Sequence, residues 1–194
     1  MTDLNNQQTN MLIGWMQIPK LYAGKTFENF DGYDTSVDTA RLAIEKGRGL
    51  FISGGCGAGK THLAVALMHE YALANRGLSP NDLPKFLPSV ELFLELKQSF
   101  GNDVSEKSIL DKYSRSNFLC IDDIGAEKVS DWTRQAFYTL IDRRYRDMKQ
   151  TIITSNMSLN NIATQIDDRI ASRISEMCEI VILGGDDYRL KAKG

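Results

Sequence analysis

The chain has 194 residues, of which 42% are hydrophobic and 25% are charged, and its formal net charge is −2. A chain of this length buries enough surface to fold without disulfides or structural metals, and this composition excludes collagen-like and largely disordered proteins. The charge also excludes a generally basic nucleic-acid-binding protein, so any contact with nucleic acid must come from a local patch.

Signals for secretion and membrane insertion are missing from the sequence. The N-terminal segment MTDLNNQQTN lacks the basic and apolar regions of a signal peptide, and no run of 18 apolar residues occurs. Cys56, Cys120 and Cys178 lie far apart and have no metal-ligand spacing. We therefore expect a reduced, cytoplasmic protein with no membrane contact.

Short apolar runs alternate with amphipathic stretches from about residue 26 onward, which predicts an α/β fold with a parallel sheet covered by helices. Residues 1–25 are interpreted as a short N-terminal extension, and residues 26–194 as one domain. The five predicted strands span residues 49–53, 85–90, 117–122, 151–155 and 179–183. The predicted helices span residues 61–73, 89–100, 105–113, 132–148 and 167–177.

The strands are not all expected to occupy the same kind of position in the sheet. Pro88 lacks a backbone N–H, so the second strand should lie at an edge of the sheet or end early. The other four are apolar throughout, and we expect them to be buried on both faces.

The segment GGCGAGKT follows the first predicted strand, precedes a helix and matches the P-loop pattern at every fixed position. Its backbone N–H groups and the following helix N-terminus would surround phosphates. Lys60 would reach the β- and γ-phosphates, and the Thr61 hydroxyl would bind Mg²⁺. The predicted ATP-binding residues are Gly54, Gly55, Cys56, Gly57, Ala58, Gly59, Lys60, Thr61 and His62.

Polar residues follow two further predicted strands. Asp122 and Asp123 end the third strand, where a carboxylate would emerge beside the P-loop. Asp122 is predicted to hold Mg²⁺, and Asp123 to polarise the attacking water. Asn156 follows the fourth strand and is predicted to orient that water, although asparagine at such a position is also a common turn residue.

Two arginines lie four residues apart in the segment DDRIASRIS, on one face of the last predicted helix. The guanidinium groups of Arg169 and Arg173 suit phosphate neutralisation. Surface charge pairs with Asp167 and Glu176 are the alternative. Phe27, Phe30 and Tyr33 form either an adenine pocket or part of the core.

These motifs together resemble the DnaC/DnaI-type helicase loaders and the related IstB transposition ATPases, within the AAA+ superfamily. The resemblance covers about residues 18–193. It rests on IPKLYAGKTFENF, GLFISGGCGAGKTHLAVAL, FLCIDDIGAEKVSDW, LIDRRYRDMKQTIITSNMS, DDRIASRI and GGDDYRLK. The double aspartate followed by IG is more typical of this family than of other AAA+ proteins.

The resemblance implies a P-loop AAA+ ATPase core without a separate lid domain. It makes Gly54 to Thr61 the Walker A motif, Asp122 and Asp123 Walker B, and Asn156 sensor I. Arg173 would be an arginine finger acting on ATP bound by a neighbouring subunit, with Arg169 as the alternative. Arg189 would occupy a sensor II-like position.

The resemblance also implies partners: a DnaB-like replicative helicase, single-stranded DNA and further copies of the chain. Residues 99–113 would be the helical insertion that lines a path for single-stranded DNA. Plausible phosphate contacts there are Lys97, Lys107, Lys112 and Arg115, although interleaved acidic residues also fit an ordinary solvated surface. Fewer than 30 residues precede the predicted ATPase core, which leaves the mode of helicase docking open.

Two other functions share the same ATPase core. One is a transposition helper that binds duplex DNA and a transposase. The other is a nucleotide-dependent interaction module with negligible turnover, because Asp123 reaches less far than the more common glutamate.

Overall fold

The computed structural model of the protein describes residues 11–30, 35–75, 77–100, 105–125 and 130–184. They form one five-stranded sheet in which every neighbouring pair of strands is parallel. The strand order is β2-β3-β4-β1-β5. The strands are β1 (Gly49–Gly54), β2 (Lys85–Pro88), β3 (Phe118–Ile124), β4 (Gln150–Ser155) and β5 (Cys178–Leu183).

Seven α-helices flank this sheet in the described part of the chain. They are α1 (Thr35–Glu45), α2 (Lys60–Ala74), α3 (Ser89–Gln98), α4 (Glu106–Arg115), α5 (Asp131–Arg146), α6 (Leu159–Gln165) and α7 (Asp168–Met177). Residues 11–15 are also helical, and Phe27–Asn29 form a short 3₁₀-helix. The predicted strands and five predicted helices are confirmed, whereas α1 and α6 were not predicted. No helix of the described ranges is long and apolar enough to cross a membrane.

The sheet separates two hydrophobic clusters because successive side chains of a strand point to opposite faces. In β1, Leu50 and Ile52 belong to the cluster beneath α1 and α2, while Phe51 belongs to the cluster beneath α3, α4, α5 and α7. β3 and β4 divide in the same way. The prediction of strands buried on both faces is therefore confirmed for these three strands.

The same prediction is wrong for β5. This strand pairs only with β1 and forms an edge of the sheet. Val181 and Leu183 are buried, but Ile180 and Ile182, on the opposite face, are 38% and 71% exposed. The apolar sequence did not reveal the edge position because that position depends on distant pairings.

β2 lies at the other edge, as Pro88 predicted, and ends at that residue. Part of this edge is covered by the N-terminal segment, since the Phe86 N–H donates to the Met16 carbonyl at 2.8 Å. Met16 is fully buried, Ile18 is 6% exposed, and the Tyr22 ring lies 6.1 Å from that of Phe86. Residues 11–25 thus pack against the cluster beneath α2, while the division of the chain at residue 25 stays a prediction.

Arg144 on α5 is fully buried and joins three elements. Its Nε donates to Thr151 Oγ1 at 2.9 Å, and its terminal nitrogens donate to the carbonyls of Tyr113, Ser116 and Gln150 at 2.8, 2.8 and 2.6 Å. These bonds tie the end of α4 and the starts of β3 and β4 to α5.

Replacing Arg144 with alanine should lower the free energy of unfolding by about 3 kcal/mol, because buried carbonyl groups would lose their donors. Urea denaturation measures this change. Arg115→Ala is the control, since that side chain is 82% exposed, and it should change stability by less than about 0.5 kcal/mol. Equal losses in the two variants would contradict a joining role for Arg144.

Candidate functional site

The glycine-rich loop connects the end of β1 to the start of α2, as predicted. Two of its glycines are required by their surroundings. A Cβ on Gly54 would collide with the backbone carbonyl of Leu183 on β5. Gly59 has φ = 91°, which L side chains rarely adopt, and its Cβ would lie 3.0 Å from the Phe30 ring. The loop is therefore closely packed between β5 and the segment before α1.

Lys60 begins α2 and folds back over the loop. It is only 7% exposed. Its ammonium group donates to the carbonyls of Gly54 and Gly55 at 3.0 and 2.8 Å and to Asn156 Oδ1 at 2.6 Å. The predicted phosphate-binding amine thus lies at the mouth of the loop, beside the residue that follows β4.

Thr61 and Asp122 place three oxygen atoms together. The Thr61 hydroxyl lies 2.9 and 3.3 Å from the two carboxylate oxygens of Asp122. The Thr154 hydroxyl donates to the same carboxylate at 2.7 Å. Burial raises the pKa of Asp122, whereas the hydrogen bonds from Thr154 and Thr61 lower it; burial is the stronger effect.

Asp123 has an unusual backbone conformation. Its φ is 59°, and the pairing of β3 with β4 is irregular between Ile121 and Ile124. The Asp123 N–H donates to Thr154 Oγ1 at 2.8 Å, and its carbonyl accepts a bond from Ser89 Oγ at 2.9 Å. Positive φ at a residue other than glycine is uncommon and occurs often at functional sites.

Asn156 connects the glycine-rich loop to the aspartates at the end of β3. Its Oδ1 accepts the bond from Lys60, and its Nδ2 donates to Asp123 Oδ1 at 3.1 Å. The structure therefore brings together Lys60, Thr61, Asp122, Asp123 and Asn156, although they lie in three separate parts of the sequence. Their catalytic roles stay predictions.

Sequence reasoning missed Thr154 and Ser89. The hydroxyl of Thr154 supports both aspartates, and Ser89 holds the Asp123 carbonyl from the start of α3. The only signal for Thr154 was a polar residue inside the apolar run TIITS, and such a residue also fits an ordinary strand.

His62 and Cys56 have different surroundings from the five central residues. His62 Nε2 lies 2.8 Å from the Thr26 carbonyl, and its ring meets that of Phe30 edge-on at 5.0 Å. Phe30 is buried, whereas Phe27 stacks beneath the guanidinium of Arg41 at 3.9 Å. Cys56 is an exposed free thiol.

The predicted phosphate-neutralising arginines lie on α7. Arg169 bonds to Asp167 and lies over the Tyr138 ring, and Arg173 bonds to Asp142 and Tyr138 on α5. Their side chains thus bond to α5 and the start of α7. Arg189 and Tyr33 lie outside the described residues.

The predicted DNA contacts on and near α4 are partly paired with acidic groups. Lys112 lies 3.3 Å from Glu95, and Arg115 lies 3.8 Å from Asp111. Lys107, Lys112 and Arg115 line a shallow cavity of about 370 Å³ that Asp111 also borders. Lys97 lies on the exposed side of the last turn of α3.

The central residues fit ATP and Mg²⁺. The loop leaves no room for Cβ atoms at two positions, Lys60 supplies a buried cation, and Thr61 and Asp122 supply oxygen ligands of the kind that Mg²⁺ prefers. Within the described residues, no group of three or more His, Cys, Asp or Glu side chains could hold a metal alone. A magnesium ion here would therefore complete its shell with phosphate and water oxygens.

The chain belongs to the family of IstB-like ATP-binding proteins, whose family model matches residues 3–194. It is 25% identical over 187 residues to the replicative helicase loader DnaC of Escherichia coli (strain K12). The aligned region covers 91% of this chain and 74% of DnaC. It is also 29% identical over 171 residues to the uncharacterized protein YqaM of Bacillus subtilis (strain 168), and that aligned region covers 82% of this chain. The chain spans only about half of YqaM, 52% of its length.

A crystal structure of DnaI superimposes on this chain with a TM-score of 0.72 and 27% sequence identity, covering 87% of this chain and 95% of that one. The predicted AAA+ P-loop fold and the predicted resemblance to DnaC and DnaI are therefore confirmed.

Lys60→Ala should reduce affinity for ATP by at least about a hundredfold, because it removes the cation that is predicted to face the terminal phosphates. Isothermal titration calorimetry measures this affinity. Lys46→Ala is the control. Lys46 is exposed and lies between α1 and β1, so its replacement should leave the affinity for ATP unchanged. Unchanged affinity in the Lys60 variant would contradict the P-loop assignment.

Asp122→Asn should raise the free energy of unfolding of the nucleotide-free protein at pH 7. Burial raises the pKa of Asp122 above its ordinary value of 3.8, so the ionised carboxylate destabilises the folded state at neutral pH. Because protonation removes this cost, the gain should shrink as the pH falls from 7 towards 4.

Urea denaturation at several pH values measures the effect. Asp131→Asn is the control and should give no gain, since that side chain is 98% exposed. A stability loss in Asp122→Asn at pH 7 would show that the hydrogen bonds to the carboxylate outweigh the cost of its burial.

Proposed function

We propose that this member of the IstB-like family is an ATPase that loads a replicative helicase onto single-stranded DNA, acting in the cytoplasm. The observation that carries the ATPase part is the hydrogen-bonded chain from Lys60 through Asn156 to Asp123, beside the contact between Thr61 and Asp122. The loader part is supported by similarity to DnaC along 91% of this chain.

ATP binding would use groups that now bond to one another. The backbone N–H groups of the loop and the Lys60 ammonium would contact the phosphates, and Lys60 would exchange its bonds to the loop carbonyls for bonds to phosphate oxygens. Thr61 and Asp122 would hold Mg²⁺, which neutralises charge on the phosphates when bound. Thr154 keeps the Asp122 carboxylate oriented for this role.

Hydrolysis would depend on Asp123 and Asn156. Asp123 would accept a hydrogen bond from the attacking water and polarise it. Asn156 would orient the water while remaining bonded to Asp123. The bulge in β3 directs Asp123 out of the ladder, and Ser89 and Thr154 fix its backbone, so the carboxylate would need little reorganisation.

The site would be completed by another copy of the chain. Arg173, or Arg169 as the alternative, would contact the terminal phosphate of ATP bound by a neighbouring subunit, because the side chain of Arg173 bonds to α5 and that of Arg169 to Asp167 rather than to the loop of their own chain. ATP binding would then favour a homo-oligomer, and hydrolysis would release it. Arg189 keeps its predicted sensor II-like role in this proposal.

Single-stranded DNA would contact Lys97, Lys107, Lys112 and Arg115, through salt-sensitive phosphate contacts. The acidic partners of Lys112 and Arg115 predict modest affinity from one chain, so stable binding would need several copies. This fits a protein that binds DNA as an oligomer.

A second candidate function is a transposition helper that binds duplex DNA and a transposase. It is supported by the family description itself, which names IstB. A third candidate is a nucleotide-dependent interaction module without turnover, which the short side chain of Asp123 supports. Two measurements separate these functions: the rate of ATP hydrolysis, and the binding of single-stranded DNA compared with that of duplex DNA.

Loading is tested with the replicative helicase of the organism that encodes this chain. Wild-type protein with ATP should increase deposition of the helicase on single-stranded DNA, and Lys60→Ala should not. A protein that binds neither helicase nor single-stranded DNA but holds duplex DNA would exclude the loader and favour the transposition helper.

Asp123→Ala should lower DNA-stimulated ATP hydrolysis by about a hundredfold, because it removes the group that polarises water. Nucleotide affinity should stay within about twofold, since the Lys60 and Thr61 contacts remain. Phosphate release measures the rate. Equal, near-zero rates in wild type and variant would instead support the interaction module.

A further inference from the structure

Arg173 is held on all three of its nitrogen atoms within its own subunit. Nε donates to Asp142 Oδ1 at 2.7 Å, one terminal nitrogen to the Tyr138 hydroxyl at 2.9 Å, and the other to the Arg169 carbonyl at 3.2 Å. The guanidinium carbon also lies 4.8 Å from the centre of the Tyr138 ring and 5.7 Å from that of Tyr145. These contacts hold the guanidinium in one orientation.

The side chains around Arg173 come from a firmly packed helix. Tyr138, Asp142 and Tyr145 follow one another at helical spacing on α5, on a half-buried face of that helix. The buried face of α5 includes Arg144, whose bonds reach β4 and the end of α4. The orientation of Arg173 is therefore fixed relative to the sheet rather than to a surface loop.

Asp142 contacts two arginines at once. Its second carboxylate oxygen lies 2.8 Å from Arg146, one turn further along α5. The Asp142 side chain is 16% exposed, whereas that of Arg146 is 65% exposed. Because Arg146 stays with the carboxylate, Arg173 can shift towards another anion without leaving Asp142 unpaired.

A guanidinium has five N–H groups, and the three bonds above use three of them. The Arg173 side chain is 24% exposed, so part of it is accessible to a neighbouring molecule. Within the described residues, two N–H groups therefore remain that could donate to phosphate oxygens. Holding the side chain beforehand also removes most of the rotamer freedom that it would otherwise lose on contact.

We infer that Tyr138 and Asp142 are positioning residues that hold Arg173 ready for ATP bound to a neighbouring subunit. This inference rests on the proposed ATPase function and on its trans-acting arginine. It distinguishes the two candidate arginines, because Asp142 contacts Arg173, whereas Arg169 bonds to Asp167.

The first test compares Asp142→Asn with wild type in ATP turnover at saturating ATP and single-stranded oligonucleotide. Turnover should fall about tenfold, while nucleotide affinity stays within about twofold, because the altered residue acts after binding. Tyr138→Phe, which keeps the ring and loses the hydroxyl, should lower turnover about threefold. Asp142→Glu should restore part of the activity.

Asp131→Asn is the matched control. It makes the same charge change on the same helix and removes an ion pair to Arg134 at 3.1 Å, and it should keep turnover within about twofold of wild type. An equal fall in both variants would overturn the inference, because it would show a general effect of charge on α5.

A mixing experiment separates positioning in trans from damage within the altered subunit. Asp123→Ala subunits bind ATP and carry an intact Arg173, so they can serve Asp142→Asn subunits whose own nucleotide site is unchanged. Each variant alone should turn over slowly, and the mixture should be several times faster than the sum of the two. A mixture no faster than that sum would overturn the inference.

Arg173→Ala mixed with Asp123→Ala tests the underlying function separately. If Arg173→Ala retains normal turnover, the assignment of Arg173 as the trans-acting arginine is wrong and so is the inference, while Arg169 stays as the alternative in the proposed function. If Arg173→Ala is impaired and is rescued by mixing while Asp142→Asn is fully active, the proposed function stands and the positioning role is wrong.

Discussion

The position of β4 between β1 and β3 is the constraint on which the candidate site depends. In this strand order the loop after β1, the aspartates at the end of β3 and Asn156 after β4 meet at one edge of the sheet. Asn156 then lies between Lys60 and Asp123 and bonds to both. A different order of the same strands would leave the phosphate-binding and water-binding groups apart, whatever their sequence motifs.

The site buries a cation and a carboxylate, and neutral groups of the protein form hydrogen bonds to each of them. Lys60 and Asp122 are 7% and 6% exposed, and each bonds to neutral groups from two other elements. Such groups stabilise the fold less than apolar residues would, since the raised pKa of Asp122 reflects a cost of burial. Phosphates and a metal ion would replace these bonds when nucleotide binds, which would offset the cost of burying the two charges.

The sequence allowed the sheet and the central motifs to be predicted because both depend on local patterns: apolar runs for the strands, and fixed spacing for the P-loop. Four features were not predictable, three of them because they depend on distant contacts. The exposed face of β5 follows from its edge position, and the dual bonding of Thr154 follows from the bulge opposite it. Helix α6 has only seven residues, which is shorter than the window of about 11 residues over which helical periodicity can be recognised. The partners of Arg173 likewise lie 31 and 35 residues away along the chain.

The central claim is that nucleotide binding controls assembly, because the proposed site is completed by an arginine from a second subunit. Sedimentation velocity of the purified protein, with single-stranded oligonucleotide and either a non-hydrolysable ATP analogue or ADP, tests this claim most directly. The account predicts a larger species with the analogue and mainly monomer with ADP or in Lys60→Ala. The same sedimentation coefficient under all three conditions, despite saturating nucleotide binding by the wild-type protein, would contradict it.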